Sequence, residues 1–180
     1  EMLDVALDKA SYRPGETARL RIASRQGGKA LITVLGTGLV TSKEVEIAKG
    51  GGEVELTVGD DWGPGAYATA MLYRPMDVAA KRMPSRAIGI KWIGVDQSSR
   101  SLKVALPGEV KIKSGDGLVI PVKVEGLSAG EEARVTVAAV DVGILNLTRF
   151  ETPAPEKHFH AQRKLARESR GCDGRPTRGM

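Results

Sequence analysis

Two histidines and one cysteine are the side chains of this chain that could best ligate a metal. The imidazoles of His158 and His160 are two residues apart, so on a strand both would lie on the same face. A zinc site needs about four ligands, and only Cys172 and scattered carboxylates could complete this set. We therefore interpret both histidines as exposed side chains of a polar linker, and we expect no metal or other cofactor.

Side chains for acid–base or nucleophilic catalysis are equally sparse. Asp60, Asp61 and Asp141 lie near the ends of predicted strands, but no partner at a suitable spacing marks an acid–base pair. We expect turn and capping roles for these carboxylates. Cys172 stands in an irregular segment with no motif that places a base beside it and no preorganised oxyanion donors. The sequence predicts that this chain is not an enzyme.

Positive charge is concentrated in the C-terminal segment 151–180. The net charge is +5, and this segment carries +3 of it, from seven basic and four acidic residues. Four basic residues are spaced as on one helical face and could contact phosphates: Arg163, Lys164, Arg167 and Arg170. Acidic residues are interleaved with the basic ones, however, and only 4% of the chain is aromatic, which leaves no platform for stacked bases. We expect no nucleic-acid partner.

The same segment has the composition of a region that proteases would cut. Its apolar side chains are few and mostly small, and Pro153, Pro155 and Pro176 interrupt regular structure. Its basic, aromatic, aliphatic and acidic side chains suit proteases of several specificities, and exposed tails are where proteolysis concentrates. A plain linker would have the same composition, so the residues alone leave both interpretations open.

The elements that must position this segment are predicted to be short β-strands. Residues 17–22, 43–47 and 53–58 alternate between apolar and polar side chains, which is typical of strands with one buried face. Residues 31–35 and 135–140 are apolar on both faces, as central strands are. Turns rich in Gly and Pro separate these runs. The pattern predicts an all-β fold of antiparallel β-sandwiches.

An internal repeat predicts two such sandwiches in tandem. Leu-Asp-Val-Ala-Leu at 3–7 reappears as Leu-Lys-Val-Ala-Leu at 102–106, and the turn at 13–17 is echoed at 113–117. Strand patterning fades after Leu147, so the second sandwich looks unfinished. The predicted parts are a first sandwich at 1–97, the first part of a second at 98–150, and an irregular tail at 151–180.

One aromatic pair of the first sandwich has a specific predicted role. Trp62 and Tyr67 flank a Gly-Pro-Gly turn, and a tyrosine just inside a strand after such a turn fits a tyrosine corner. In that motif the hydroxyl bonds back to an upstream backbone group. The competing interpretation is an exposed aromatic binding patch, which would need more aromatic residues nearby than this chain supplies.

Several phrases, taken in order, resemble one family, the bacterial alpha-2-macroglobulins, which are large thioester-containing protease traps. The matching stretches cover nearly the whole chain, to about residue 169. They are residues 11–18, 61–67, 74–77, 85–89 and, most specifically, the Ala-Ala-Val-Asp-Val-Gly-Ile-Leu-Asn-Leu-Thr-Arg-Phe-Glu-Thr-Pro block at 138–153.

The resemblance implies a fold, a mechanism and partners. The family consists of many tandem macroglobulin-type sandwiches, immunoglobulin- and fibronectin III-like, of about 100 residues each. The 138–153 block implies that the chain next enters the bait segment, which an attacking endopeptidase cleaves. Cleavage releases a conformational change, and a thioester elsewhere in the molecule links to the protease. The implied partners are endopeptidases and the other domains of the parent chain.

The resemblance also implies which residues are cut. Basic residues would serve trypsin-like enzymes, whereas aromatic and aliphatic residues would serve chymotrypsin-like ones. The bait cleavage candidates are Lys157, Phe159, Arg163, Lys164, Leu165, Arg167 and Arg170. The thioester motif Cys-x-Glu-Gln is absent, because Cys172 is followed by Asp-Gly-Arg, and residues 171–180 depart from the family pattern. Trapping chemistry is therefore not expected within this segment.

The cellular location follows from the resemblance alone. Family members lie in the periplasm or at the cell envelope, although the first residues here lack the basic start and apolar block of a signal peptide. No run approaches the ~18–20 apolar residues of a membrane span. Two other functions remain open at this point: a tandem-sandwich adhesin or scaffold that binds a surface partner, and an accessory module of a secreted enzyme.

Overall fold

The computed structural model describes residues 2–81, 83–113, 115–148 and 150–165. These residues form two compact units. The first contains residues 2–96 together with 159–165, and the second contains residues 97–158.

The first unit contains eight strands in two sheets. The strands are β1 (Asp4–Leu7), β2 (Ser11–Tyr12), β3 (Thr17–Ala23), β4 (Gly28–Leu35), β5 (Leu39–Ile47), β6 (Gly52–Thr57), β7 (Gly65–Arg74) and β8 (Ser85–Val95). The small sheet has the order β1-β3-β6, and the large sheet has the order β2-β8-β7-β4-β5. Every described pairing is antiparallel except β2 with β8, which is parallel. The large sheet is therefore mixed.

The alternation read from the sequence builds the core between the two sheets. In β3 every second residue is buried, namely Ala18, Leu20 and Ile22, and the residues between them are exposed. The central strand β7 buries mainly alanines, which lets the two sheets approach closely at that strand. Among the described residues, strands account for 42% and helices for 11%, which confirms the predicted all-β class.

A tyrosine fixes the point where the chain crosses from the small sheet to the large one. Tyr12, almost fully buried, donates its hydroxyl hydrogen to Asp8 Oδ1 at 2.6 Å and accepts a bond from the Lys9 amide at 3.1 Å. Asp8 Oδ1 also accepts from the Arg19 amide at 3.0 Å. This cluster ties the β1–β2 crossover to β3, and the crossover delivers β2 alongside β8 in the parallel direction.

The second unit contains less strand than the sequence pattern predicts. Strands β9 (Lys103–Ala105) and β10 (Lys123–Glu125) pair antiparallel, and a 3-10 turn spans Ser98–Arg100. The predicted strand at 135–140 is wrong for the described residues: it is irregular, and its valines are 42–47% exposed. A run that is apolar on both faces needs covering layers on both sides, and none covers this run among the described residues.

Helices occupy the end of this region. Helix α1 (Val142–Thr148) replaces the strand pattern predicted to continue to Leu147. Asp141 Oδ1 accepts a hydrogen bond from the Gly143 amide at 2.8 Å, which is the capping role expected of this carboxylate. Ile144 and Leu147 are 52% and 83% exposed, as expected for apolar residues without a completed sandwich. Helix α2 (Pro155–Phe159) follows.

Candidate functional site

The candidate site is the segment from α2 to the last described residue, which we call segment 155–165. Pro155 occupies the first helical position of α2, where its missing amide hydrogen costs nothing, and Glu156 follows in the first turn. The helix ends at Phe159, and the backbone from residue 162 to residue 165 is irregular. Its last part therefore lacks the internal backbone hydrogen bonds that protect a helix from proteases.

The structure places five of the seven predicted cleavage residues. Lys157, Arg163 and Lys164 have exposed side chains, and Phe159 is 68% exposed. Leu165 is half-buried. The other two, Arg167 and Arg170, lie outside the described residues, as does Cys172. The assignment of these seven residues as cut sites stays a prediction.

The remaining candidates for chemistry are not brought together. Asp60 and Asp61 form a 3-10 turn that leads into buried Trp62, which accords with their expected turn role. His158 is exposed and His160 is half-buried. Across the described ranges, no group of three or more His, Cys, Asp or Glu side chains could hold a metal ion. No described helix is long and apolar enough to span a membrane.

Residues 159–165, the part of segment 155–165 that belongs to the first compact unit, are anchored to the first sandwich by Tyr67 of β7. The Tyr67 hydroxyl donates to the carbonyl oxygen of Arg163 at 2.7 Å, and it accepts from Gln162 Nε2 at 2.9 Å. These partners lie 96 and 95 residues further along the chain. Both bonds belong to the first compact unit, which contains the sandwich and residues 159–165.

The predicted tyrosine corner is therefore wrong for Tyr67. The reason is strand alternation: Ala66 and Ala68 fill the core, so the side chain between them points to the opposite face of the large sheet. There its ring meets Trp92 edge-on, with ring centroids 4.8 Å apart at an interplanar angle of 65°. Tyr67 and Trp92 are both half-buried, so this aromatic pair is not the fully exposed patch of the competing interpretation either. The structural role predicted for Trp62 is confirmed, since Trp62 is 4% exposed in the core.

We call the face of the large sheet that carries Tyr67 its outer face. The strand register places β4, β7 and β8 side chains there in rows. The first three rows are Leu35–Tyr67–Trp92, Thr33–Thr69–Ile90 and Leu31–Met71–Ile88. Most of these side chains are apolar yet half-buried or exposed, with Leu31 at 39% and Ile90 at 50%. The two threonine hydroxyls of the middle row hydrogen-bond to each other.

The solvent face of the small sheet is different. It carries ion pairs between neighbouring strands, with Arg21 Nε 3.1 Å from Glu53 Oε2 and Arg19 Nε 3.6 Å from Glu55 Oε1. Charged, hydrated pairs of this kind favour water over a packed segment. Of the two sheet faces that point away from the core, the apolar outer face of the large sheet is therefore the better surface for a covering segment.

The hydrogen-bonded pair of Asp8 and Tyr12 shifts the pKa of both side chains, and the role of this pair is structural. The hydrogen bond from Tyr12, and then that from the Arg19 amide, hold the pKa of Asp8 below its usual value. Burial, followed by the bond to Asp8, raises the pKa of Tyr12 to about 12. Sequence reasoning missed this pair, although a tyrosine directly before the Arg-Pro-Gly turn is the local signal that could have found it.

A family model described as the alpha-2-macroglobulin bait region domain matches residues 3–147. The match ends before segment 155–165, so it identifies the body of the chain and leaves the cut sites untested. Among curated relatives, alpha-2-macroglobulin of Xylella fastidiosa is 32% identical over 176 residues, which is 97% of this chain. Alpha-2-macroglobulin of Escherichia coli is 28% identical over 184 residues, which is 100% of this chain.

Solved structures give the same result. A crystal structure of a mutant Salmonella alpha-2-macroglobulin matches with a TM-score of 0.64 at 29% identity over 91% of this chain, and a methylamine-reacted form matches with 0.63. The chain spans only 11% of the length of these relatives and structures. The domain match and these relatives together show that the chain belongs to the bacterial alpha-2-macroglobulins, as their bait region domain.

Proposed function

We propose that this chain presents a cleavable bait to endopeptidases, and that its cleavage leads to protease trapping by a longer parent protein. The observation that carries the proposal is the arrangement of segment 155–165. Arg163 and Lys164 have exposed side chains on irregular backbone, in the same compact unit as a sandwich whose apolar core is buried. Lys157 and Phe159 are exposed on the short helix α2 that precedes them. In a bait region domain, that contrast directs an attacking protease to the segment.

The proposal assigns no catalytic residue to this chain. The protease supplies the chemistry, and this chain supplies the peptide bond and its accessibility. The preferred bonds follow Lys157, Arg163 and Lys164 for trypsin-like enzymes, and Phe159 and Leu165 for chymotrypsin-like ones. Arg167 and Arg170 complete the proposed set. Trapping itself belongs to other domains of the parent chain.

Limited proteolysis with several endopeptidases of unrelated specificity tests the proposal, with the earliest cuts located by mass spectrometry. We expect these cuts within 150–180 for every enzyme, while residues 1–97 survive. A variant with all five basic candidates changed to glutamine should lose the early trypsin cuts and keep the early chymotrypsin cuts. A matched control, Lys43→Gln with Lys49→Gln, removes two exposed lysines of the sandwich and should change neither pattern.

First cuts inside the sandwich would overturn the bait assignment and favour a binding module instead. A plain linker would also be cut first, so a second assay concerns the parent protein. After bait cleavage the parent should change conformation and retain the protease. A parent that is cut but releases the enzyme with full activity toward large substrates would contradict trapping.

We also propose a location in the periplasm or at the cell envelope, where external endopeptidases would first meet the protein. The family resemblance supports this location. Cell fractionation with an antibody against residues 1–97 tests it, and recovery of the parent protein in the cytosolic fraction would contradict it.

A further inference from the structure

The candidate cut site at Arg163 is hydrogen-bonded to the sandwich through the carbonyl group of its own scissile bond. The Tyr67 hydroxyl donates to the Arg163 carbonyl oxygen at 2.7 Å, while the Arg163 side chain is exposed. A trypsin-like enzyme could therefore reach the guanidinium group that it recognises. The carbonyl of the bond that it must cleave, however, already has a donor.

Hydrolysis requires that carbonyl to move into the protease. The oxyanion hole must donate its own hydrogen bonds to the Arg163 carbonyl oxygen as the tetrahedral intermediate forms. The peptide bond between the Arg163 carbonyl carbon and the Lys164 nitrogen then breaks; overall, the carbon gains the hydroxyl group of a water molecule and the nitrogen gains its hydrogen. The bond to Tyr67 must break before these steps, since the tyrosine on the sheet and the protease cannot both enclose the same oxygen.

The surroundings make Tyr67 a well-fixed donor. Its strand lies in the middle of the large sheet between β4 and β8, and its ring packs edge-on against Trp92. Gln162 Nε2 donates to the Tyr67 hydroxyl oxygen, which leaves the hydroxyl hydrogen directed at the Arg163 carbonyl. Gln162 therefore helps to orient the Tyr67 hydroxyl, which in turn holds the carbonyl of Arg163.

We propose that Tyr67 is a positioning residue that holds the Arg163 carbonyl against the outer face of the large sheet and thereby slows cleavage of the Arg163–Lys164 bond. The inference rests on the proposed bait function and adds to it a restraint on one cut site. Arg163 is cut only from the state in which residues 162 and 163 have left Tyr67, and Lys157, which Tyr67 does not contact, serves as the internal reference.

The test measures two initial rates of trypsin cleavage in the full chain, after Arg163 and after Lys157, and compares their ratio between variants. Tyr67→Phe keeps the ring and removes both hydrogen bonds. At low protease concentration, detachment of Arg163 from Tyr67 is fast compared with cleavage. The cleavage rate after Arg163 therefore follows the population of the detached state. Loss of hydrogen bonds of ordinary strength should raise the Arg163/Lys157 ratio about three- to tenfold.

Two further variants separate this effect from general loosening. Gln162→Ala removes one bond and should raise the ratio less than Tyr67→Phe does. Tyr73→Phe removes a hydroxyl from the same strand and the same face, on a side chain that is 55% exposed, and should leave the ratio unchanged. An unchanged ratio in Tyr67→Phe, or an equal rise in Tyr73→Phe, would overturn the proposal.

An NMR measurement on uncleaved protein keeps this inference separate from the bait function. The carbonyl carbon-13 shift of Arg163 should change in Tyr67→Phe, because the oxygen loses its donor, and should stay the same in Tyr73→Phe. Proteolysis that begins inside the sandwich would remove the bait function while leaving this shift intact. An Arg163 shift identical in wild type and Tyr67→Phe would remove the positioning role, wherever the proteases cut.

Discussion

Replacement of Gly89 by alanine tests how the first strand joins the sandwich. Gly89 lies in β8 opposite Ala70 of β7, and β1 approaches it closely from the core side. A Cβ added at Gly89 would lie 2.6 Å from the Leu3 carbonyl oxygen and would overlap a methyl group of Val5, whereas ordinary contacts are 3.4–4 Å. The Val5 side chain can rotate away from the new methyl group, but the Leu3 backbone is held by the hydrogen bond that its amide donates to the Ile88 carbonyl oxygen at 2.9 Å.

The size of the effect follows from what must move. Separating β1 from β8 by about 0.8 Å would partly expose Leu3 and Val5, which are now 6% and 8% exposed. Overpacking of this kind costs about 1–3 kcal/mol, and full burial of one such side chain contributes about 1.5–3 kcal/mol. We expect the free energy of unfolding to fall by about 2–3 kcal/mol, and the Tm to fall by about 10–20 °C for a domain of this size.

Tryptophan fluorescence is the assay, because both tryptophans of the chain, Trp62 and Trp92, lie in the first unit and report on the sandwich. Gly38→Ala is the matched control, since no atom lies within 4 Å of its added Cβ. The control should be neutral or slightly stabilising. Gly89→Ala with a stability within about 0.5 kcal/mol of wild type would refute the close approach of β1 to β8.

Three further predictions concern the core, the crossover and the first helix. Leu20→Ala, at a fully buried position of β3, should lower the free energy of unfolding by about 2–5 kcal/mol in urea titrations followed by tryptophan fluorescence; a loss under 1 kcal/mol would contradict its core position. The lowered pKa of Asp8 contributes stability above its unfolded value of 3.8, which is lost as the pH falls through the folded pKa. The raised pKa of Tyr12 contributes stability below pH 10, which is lost as the pH rises through about 12. Tm measured against pH should therefore fall more steeply in wild type than in Asp8→Asn at the acid end, and than in Tyr12→Phe at the alkaline end; parallel curves would contradict the cluster. Asp141→Ala should destabilise helix α1 by about 0.5–2 kcal/mol, seen as faster hydrogen exchange of the Leu145 amide, and unchanged exchange would exclude the cap.

The first sandwich was predictable because the sequence of its strands alternates between apolar residues for the buried face and polar residues for the exposed face. Alternation in 17–22 and 53–58 places Leu20, Val54 and Leu56 inside, and the structure buries all three. The Gly and Pro turns mark where each strand must end. The local sequence pattern is sufficient to predict a strand wherever one face of that strand is buried and the other is exposed to solvent.

Other features depend on contacts that local pattern does not encode. The outward direction of Tyr67 follows from its buried neighbours, but its partners stand 95 and 96 residues away in a segment with no periodicity. The run at 135–140 has strand composition, yet composition cannot supply the layers that such a run needs on both faces. At 142–148 a single carboxylate, Asp141, caps a helix where the apolar pattern alone favoured a strand.

The parallel pairing of β2 with β8 has a mechanical consequence. The chain enters the sandwich beside Ile88 of β8 and leaves it after Val95, and both the entry at Met2 and strand β2 run parallel to β8. Tension applied between these two ends therefore loads the β2–β8 hydrogen bonds and the Leu3–Ile88 bond in shear, all together, instead of opening them one at a time. Pulling this unit apart from its two ends should therefore need a larger force than opening the same hydrogen bonds one after another.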